Sequence, residues 1–155
     1  MKKLNFIIIL GLILTASTLA MADDVADIKS TMNKHFVTFN EGDAAGHIAH
    51  HKAVNSSFGA DGGALTVNDS LEEELAELQA GFDKGYKYDF ELVDLDVAVY
   101  GDTAVVTSLQ IGTVTMPDGK VKKVKNRRTA VVVRDGSDWK EVHSHISVYV
   151  EESTE

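Results

Sequence analysis

A chain of 155 residues without a single cysteine is long enough to bury one domain's core. It does so without a disulfide, and it has no thiol to serve as nucleophile or metal ligand. With 24 acidic residues against 15 Lys and Arg, the formal net charge of −9 disfavours nonspecific nucleic-acid binding and favours solubility.

The first 22 residues differ in kind from the rest. Lys2 and Lys3 precede an apolar run from Phe6 to Leu14, and Ala20-Met21-Ala22 is an A-x-A cleavage pattern. This predicts a secretory signal peptide over 1–22, and the apolar run is too short to span a membrane. The expected mature protein starts at Asp23. It is exported, to the periplasm or outside the cell, with no membrane attachment after cleavage.

Asp23 and Asp24 can cap a first helix. Val25, Ile28, Met32, Phe36 and Phe39 recur at helical spacing, with His35 beside the stripe, and Gly42 stops it. Asp43 then caps a short second helix, expected from Ala44 to about Lys52. His47, His50 and His51 stand there at i, i+3 and i+4. Imidazoles so spaced can bind Zn²⁺ or Cu²⁺, but no H-E-x-x-H pattern accompanies them. They read as a polar helix end, and no metal set or cofactor is expected. The segment Phe58 to Leu65 is Gly-rich and reads as a short strand pair or loop. Ser70 opens a third helix, with Glu73 placed for a capping box. Leu71, Leu75, Leu78 and Phe82 form its apolar stripe, and Gly85 ends it.

From Lys87 the period changes to two. In Tyr88 to Tyr100, Val93, Leu95, Val97 and Val99 share one face, and Asp94, Asp96 and Ala98 the other. Gly101-Asp102 makes a turn, Ala104 to Val114 is a strand, and Pro117-Asp118-Gly119 makes a hairpin turn. Lys122 to Arg134 and Trp139 to Val150 form a long hairpin about Asp135-Gly136. Arg127 shares parity with Thr129, Val131 and Val133. In the last run Val142, Ser144, Ile146 and Val148 share a face that should cover the core. Trp139, Glu141, His143, His145, Ser147 and Tyr149 share the other, which reads as a protein contact surface. Helices first and a meander after imply an α+β domain.

Arg127 and Thr129, then Asp135-Gly136, then Trp139, Val142, His143, His145 and Ser147 in the pattern W-x-x-V-H-x-H-x-S resemble the C-terminal hairpin of the nuclear transport factor 2-like superfamily. The resemblance is strongest to its SnoaL-like branch and to the association domain of calcium/calmodulin-dependent protein kinase II. The opening, a helix followed by Asn40-x-Gly42-Asp43 and another helix, is also similar. Element order matches across the mature chain, and motif detail across about its last quarter. The resemblance implies one SnoaL-like domain over 23–155. Its cone-shaped, curved antiparallel sheet would wrap around the long N-terminal helix, with two further helices closing a pocket.

That pocket is expected to have Val142, Ser144 and Ile146 as floor and His35, Phe39, Leu78 and Phe82 as walls. Arg127, Tyr86 or Tyr88 would stand near the mouth, and Thr129 and Ser144, being small, would leave the space between open. A small, largely apolar molecule is the expected ligand. The resemblance further implies a homodimer through the face of His143, His145 and Tyr149. Kinase association domains line the pocket with arginines at the positions of Thr129 and Ile146, and both arginines are absent here. Two other functions stay open. One is an isomerase, cyclase or hydrolase with His35 as general base and Tyr86 or Tyr88 as hydrogen-bond donor. The other is an assembly module acting through the outer sheet face. Ketosteroid-isomerase-like and dehydratase-like relatives carry a pocket Asp, and no buried acid–base pair is evident in the sequence.

Overall fold

The computed structural model describes residues 23–150, so the signal peptide expected over 1–22 lies outside the described residues. Helix α1 occupies residues 23–41. It is followed by α2 (Ala44–Ile48), β1 (His51–Phe58), β2 (Thr66–Asn68), α3 (Leu71–Asp83), β3 (Lys87–Tyr100), β4 (Thr103–Thr115), β5 (Val121–Asp135) and β6 (Asp138–Val148). The six strands form one curved, unclosed sheet in the order β2-β1-β6-β5-β4-β3. All neighbours are antiparallel except β1 and β6, which run parallel.

The capping residues act where their chemistry requires. Asp43 Oδ1 accepts from the Gly46 amide at 2.9 Å, and Ser70 Oγ accepts from the Glu73 amide at 3.3 Å. Gly42, at φ +74°, ends α1 in the left-handed conformation that glycine adopts without strain. Helix α2 stops at Ile48, short of the expected Lys52, because His51 already belongs to a strand. That strand was hidden in a polar stretch. It exists because its backbone pairs with β6 on one side and β2 on the other, which outweighs weak local propensity. The Gly-rich segment beyond Phe58 is a loop.

The core lies between α1 and the sheet. Ile28 and Met32 pack on Ala104, Val106, Ala130, Val132 and Trp139, all essentially inaccessible. Leu92, Leu95, Val97 and Val99 close its side. A bulge between Val93 and Asp96, with Asp94 at φ +53°, puts Leu92 in the row where Val93 was expected.

The inward rows change character at one level of the sheet. Ala104 lies opposite Val132 and Val106 opposite Ala130, all buried and apolar. Further along the same pair of strands, Ser108 lies opposite Arg128 and Gln110 opposite Asn126, all buried and polar. On β6 the buried Trp139 is likewise followed by buried Glu141 and Ser144.

Two devices hold the edge strand β3. Gly112 sits at φ +146° opposite Phe90, and a Cβ there would lie 1.9 Å from the Asp89 carbonyl oxygen, so only glycine fits. Asn40, near the end of α1, donates to the Phe90 carbonyl at 2.8 Å and accepts from the Phe90 amide at 2.9 Å.

Candidate functional site

Where the inward rows turn polar, a cavity of about 590 Å³ opens between the second half of α1 and the sheet. Phe36, Phe39, Phe90, Val114, Ile146 and Val148 supply apolar wall. Lys122, Asp61 and Met116, all exposed, mark the mouth. The closed end is polar. It holds His35, His47, His51, Gln110, Asn126, Arg128, Glu141 and Ser144.

At that end Arg128 and Glu141 form a buried ion pair. The Arg128 guanidinium also lies 5.3 Å from the centre of the Phe36 ring and 3.8 Å from Met32 Sδ. Glu141 Oε2 stands 4.0 Å from His35 Nδ1. His35, only 2% exposed, brings its Nε2 within 3.0 Å of both His47 Nε2 and His51 Nε2. His47 Nδ1 is 3.0 Å from the His35 carbonyl oxygen, and His51 Nδ1 is 2.7 Å from Glu74 Oε1. Among the described residues, His35 Nδ1 and Gln110 Oε1 are buried atoms with no hydrogen-bond partner.

The electrostatics follow from burial. Burial holds the His35 imidazole well below its ordinary pKa, with the neighbouring His47, His51 and Arg128 acting in the same sense. Burial also lowers His47, from 6.5 to about 4, against a raising effect of its hydrogen bond to the His35 carbonyl. At Glu74, burial works to raise the carboxyl, but hydrogen bonds from His51 and Asn55 prevail and hold it below its ordinary value. Near neutral pH the closed end therefore presents neutral imidazoles at His35 and His47 beside an ionised Glu74.

The structure brings some expected residues together and separates others. His35, Phe39, Ser144 and Ile146 line the cavity. Arg127 and Thr129 are exposed on the opposite side of the sheet, because β5 has the reverse phase: Asn126, Arg128, Ala130 and Val132 point inward. The outward row, Thr129, Val131 and Val133, is the more apolar of the two, and alternation alone selects it. Val142 is the extra residue of a bulge opposite Val131 and Val132, which removes it from the inward row and turns Trp139 and Glu141 inward with Ser144. Phe82 stands behind Phe39, with ring centres 5.7 Å apart, and Tyr88 packs against Phe39 at 4.4 Å. Leu78 and Tyr88 line a separate groove beside α3. Tyr86 lies in the α3–β3 connection, away from the cavity lining. His143 and His145 are on the outer face, where His143 Nδ1 and Ser56 Oγ are 2.9 Å apart and Phe58 neighbours both rings. Tyr149 follows β6 with the Lys125 ammonium 4.3 Å from the centre of its ring.

Three functional candidates escaped sequence reasoning: Arg128, Glu141 and the joint action of His35, His47 and His51. Trp139 carried a usable signal. A Trp that opens a strand is a core residue more often than a surface one, and Glu141 shares its parity.

The model of the SnoaL-like domain matches residues 28–151. The chain belongs to this SnoaL-like family. Solved structures share the fold. An NTF2-like protein from Streptomyces avermitilis, described as a dehydratase, matches this SnoaL-like domain with a TM-score of 0.72 and 20% identity over 84% of this chain and 99% of its own. A ketosteroid isomerase-like protein from Erwinia carotovora atroseptica matches at 0.67 and 21%, over 83% and 98%. The CaMKII hub of S. rosetta matches at 0.63 and 21%, over 81% and 96%. No curated protein matches the sequence. The cone and its helices are those the resemblance implied.

Proposed function

We propose that this SnoaL-like domain binds a small, largely apolar molecule in the cone cavity, with a polar group of that molecule at the closed end. The observation that carries this reading is the division of the cavity. Aromatic and aliphatic walls lead to a closed end where His35 Nδ1 and Gln110 Oε1 lack partners among the described residues. Apolar walls with a few convergent polar atoms suit a small-molecule ligand.

Ser144 tests it, because it lines the cavity with a small side chain. Ser144→Trp should abolish uptake of an apolar fluorescent probe such as N-phenyl-1-naphthylamine while leaving the melting temperature nearly unchanged. In a filled core the same change would be overpacked and cost about 1–3 kcal/mol. A steep fall in melting temperature, together with no probe bound by the wild type, removes the reading.

Proton-transfer catalysis is a second reading, favoured by His35, whose burial keeps a neutral base facing the cavity. Turnover abolished by His35→Ala, with probe binding retained, selects it. Tyr86 and Tyr88 lie away from the cavity lining, so the donor role assigned to them from sequence passes to Arg128.

We further infer that residues 1–22 direct export and that two copies of the domain pair through the outer sheet face. Export is read from Lys2, Lys3 and the A-x-A pattern. An N-terminus at Asp23 in protein recovered from outside the cytoplasm is the expected mass-spectrometric result. Exported chain that retains Met1 excludes it.

A further inference from the structure

We propose that His35, His47 and His51 form a binding site for a divalent transition metal, zinc foremost, at the closed end of the cavity. The ligands come from three places in the fold: α1, α2 and the first residue of β1. One ring nitrogen from each lies within 4.8 Å of the other two.

The proton positions make the argument. His47 Nδ1 faces a carbonyl oxygen and His51 Nδ1 faces the Glu74 carboxylate. Both partners only accept, so each Nδ1 carries the hydrogen. A neutral ring protonated on Nδ1 presents a bare lone pair on Nε2. With His47 and His51 both neutral, the form in which histidine binds a metal, His35 Nε2 meets two acceptors at 3.0 Å and has at most one hydrogen to offer them. The contact with His47 cannot use it, because the two rings are stacked, 3.8 Å apart and inclined by 20°, and a ring N–H points within its own plane. Two nitrogens are thus held together with no hydrogen bond between them. A cation that accepts all three lone pairs resolves the conflict.

The outer partners fit the same reading. Metal-bound histidines characteristically donate their other ring hydrogen to a carboxylate or a carbonyl, which fixes the tautomer and the ring direction. His51 and His47 have one such partner each. With a metal on its Nε2, His35 carries its hydrogen on Nδ1, which is unpartnered among the described residues and has Glu141 Oε2 4.0 Å away. Zinc–nitrogen bonds of about 2.0–2.1 Å at a tetrahedral angle separate ligand nitrogens by about 3.3 Å, close to the spacing found here; because each lone pair lies in its ring plane, the stacked His35 and His47 rings must also turn out of their parallel arrangement for the lone pairs to converge on one ion. An all-imidazole set selects zinc, copper or nickel over magnesium and calcium.

The three rings line the cavity, so the remaining coordination position opens into it. Sites with three protein ligands keep that position for water or a ligand atom. The polar group of the cavity ligand is then an anionic oxygen donor, a carboxylate above all. This ligand class rests on the apolar-ligand reading. The metal site does not, since metal uptake is measured with no organic molecule present.

Chelator-treated protein titrated with Zn²⁺ alone, by calorimetry and native mass spectrometry, should take up one ion per chain. Co²⁺ should give the intense visible bands of a tetrahedral site. His51→Ala and His35→Ala should each weaken Zn²⁺ binding at least about 100-fold, and Glu74→Gln by about 10–100-fold with a shifted Co²⁺ spectrum. His50→Ala, whose ring lies 5.6 Å from that of His35 outside the converging set, should leave binding unchanged. Circular dichroism checks the fold, and His51→Ala carries the test if His35→Ala fails to fold. Absence of one-to-one Zn²⁺ uptake overturns the proposal. So does a loss on His50→Ala or His143→Ala as large as that on His51→Ala, which would mark adventitious surface binding.

Discussion

Burial sets the chemistry of individual residues at the closed end. His47 titrates near 4 in the folded protein against 6.5 for the unperturbed group, and His35 is lowered as well, both chiefly by burial. The unfolded chain therefore binds more protons than the folded one as pH drops below about 6.5. The stabilisation is complete above that pH and is lost as pH falls toward 4. For His47 alone the loss is on the order of 3 kcal/mol. Glu74, whose carboxyl is held below its ordinary value, loses stabilisation in the same direction at still lower pH. Denaturant midpoints of the metal-free protein should fall steadily from pH 7 to pH 4, and His47→Gln should flatten that slope. A wild-type midpoint independent of pH over this range would contradict it. None of this could be read from spacing. His35 and His51 are 16 positions apart, and only the return of β1 to the sheet beside β6 joins them.

Among the elements, edge strand β3 depends on one side chain of α1. Asn40 serves the free amide and carbonyl of Phe90, two groups that would otherwise face outward from the edge. Asn40→Ala should cost about 1–3 kcal/mol, seen as a lower denaturant midpoint with unchanged slope. An unchanged midpoint would mean that solvent serves the edge as well as the amide does. Caps, turns and the order of the elements apart from β1 were legible because Asp43, Ser70, Pro117-Asp118-Gly119 and Asp135-Gly136 act through local chemistry. The facing of the strands was less so. Alternation has a period of two and no memory of an inserted residue, so the bulges near Asp94 and at Val142 reversed the reading on their N-terminal sides, at Leu92 and at Trp139 and Glu141, while the positions after them read correctly. In β5 no bulge intervenes between Asn126 and Val131. There the outward row carries Val131 and Val133, both half-buried, while the inward row carries Asn126 and Arg128 at the cavity, so the pattern favoured the wrong side.

For the whole molecule, the proposed pairing of two copies uses that outer face. His143, His145 and Phe58 cluster there, and Phe58 is an exposed aromatic. A stable pair should bury more than about 1,000 Å² in total. His145→Glu places a carboxylate from each copy at the contact, so sedimentation should show a shift toward monomer at micromolar concentration. A wild type that is already monomeric there would exclude the pairing.

The level at which the paired rows of β4 and β5 pass from Ala104, Val106, Ala130 and Val132 to Ser108, Gln110, Asn126 and Arg128 has a consequence for how such a chain can change. Below it, Ala104, Val106, Ala130 and Val132 are packed in one cluster with Ile28 and Met32 of α1, and an altered volume is felt throughout the core. Above it, Gln110 and Asn126 border open space and can be exchanged with little disturbance to packing. Under the proposed function, specificity can drift while the scaffold stays fixed, because the backbone register that joins the two zones does not depend on what the upper side chains are. The same ladder of hydrogen bonds thus separates the heritable framework from the part free to acquire a new ligand.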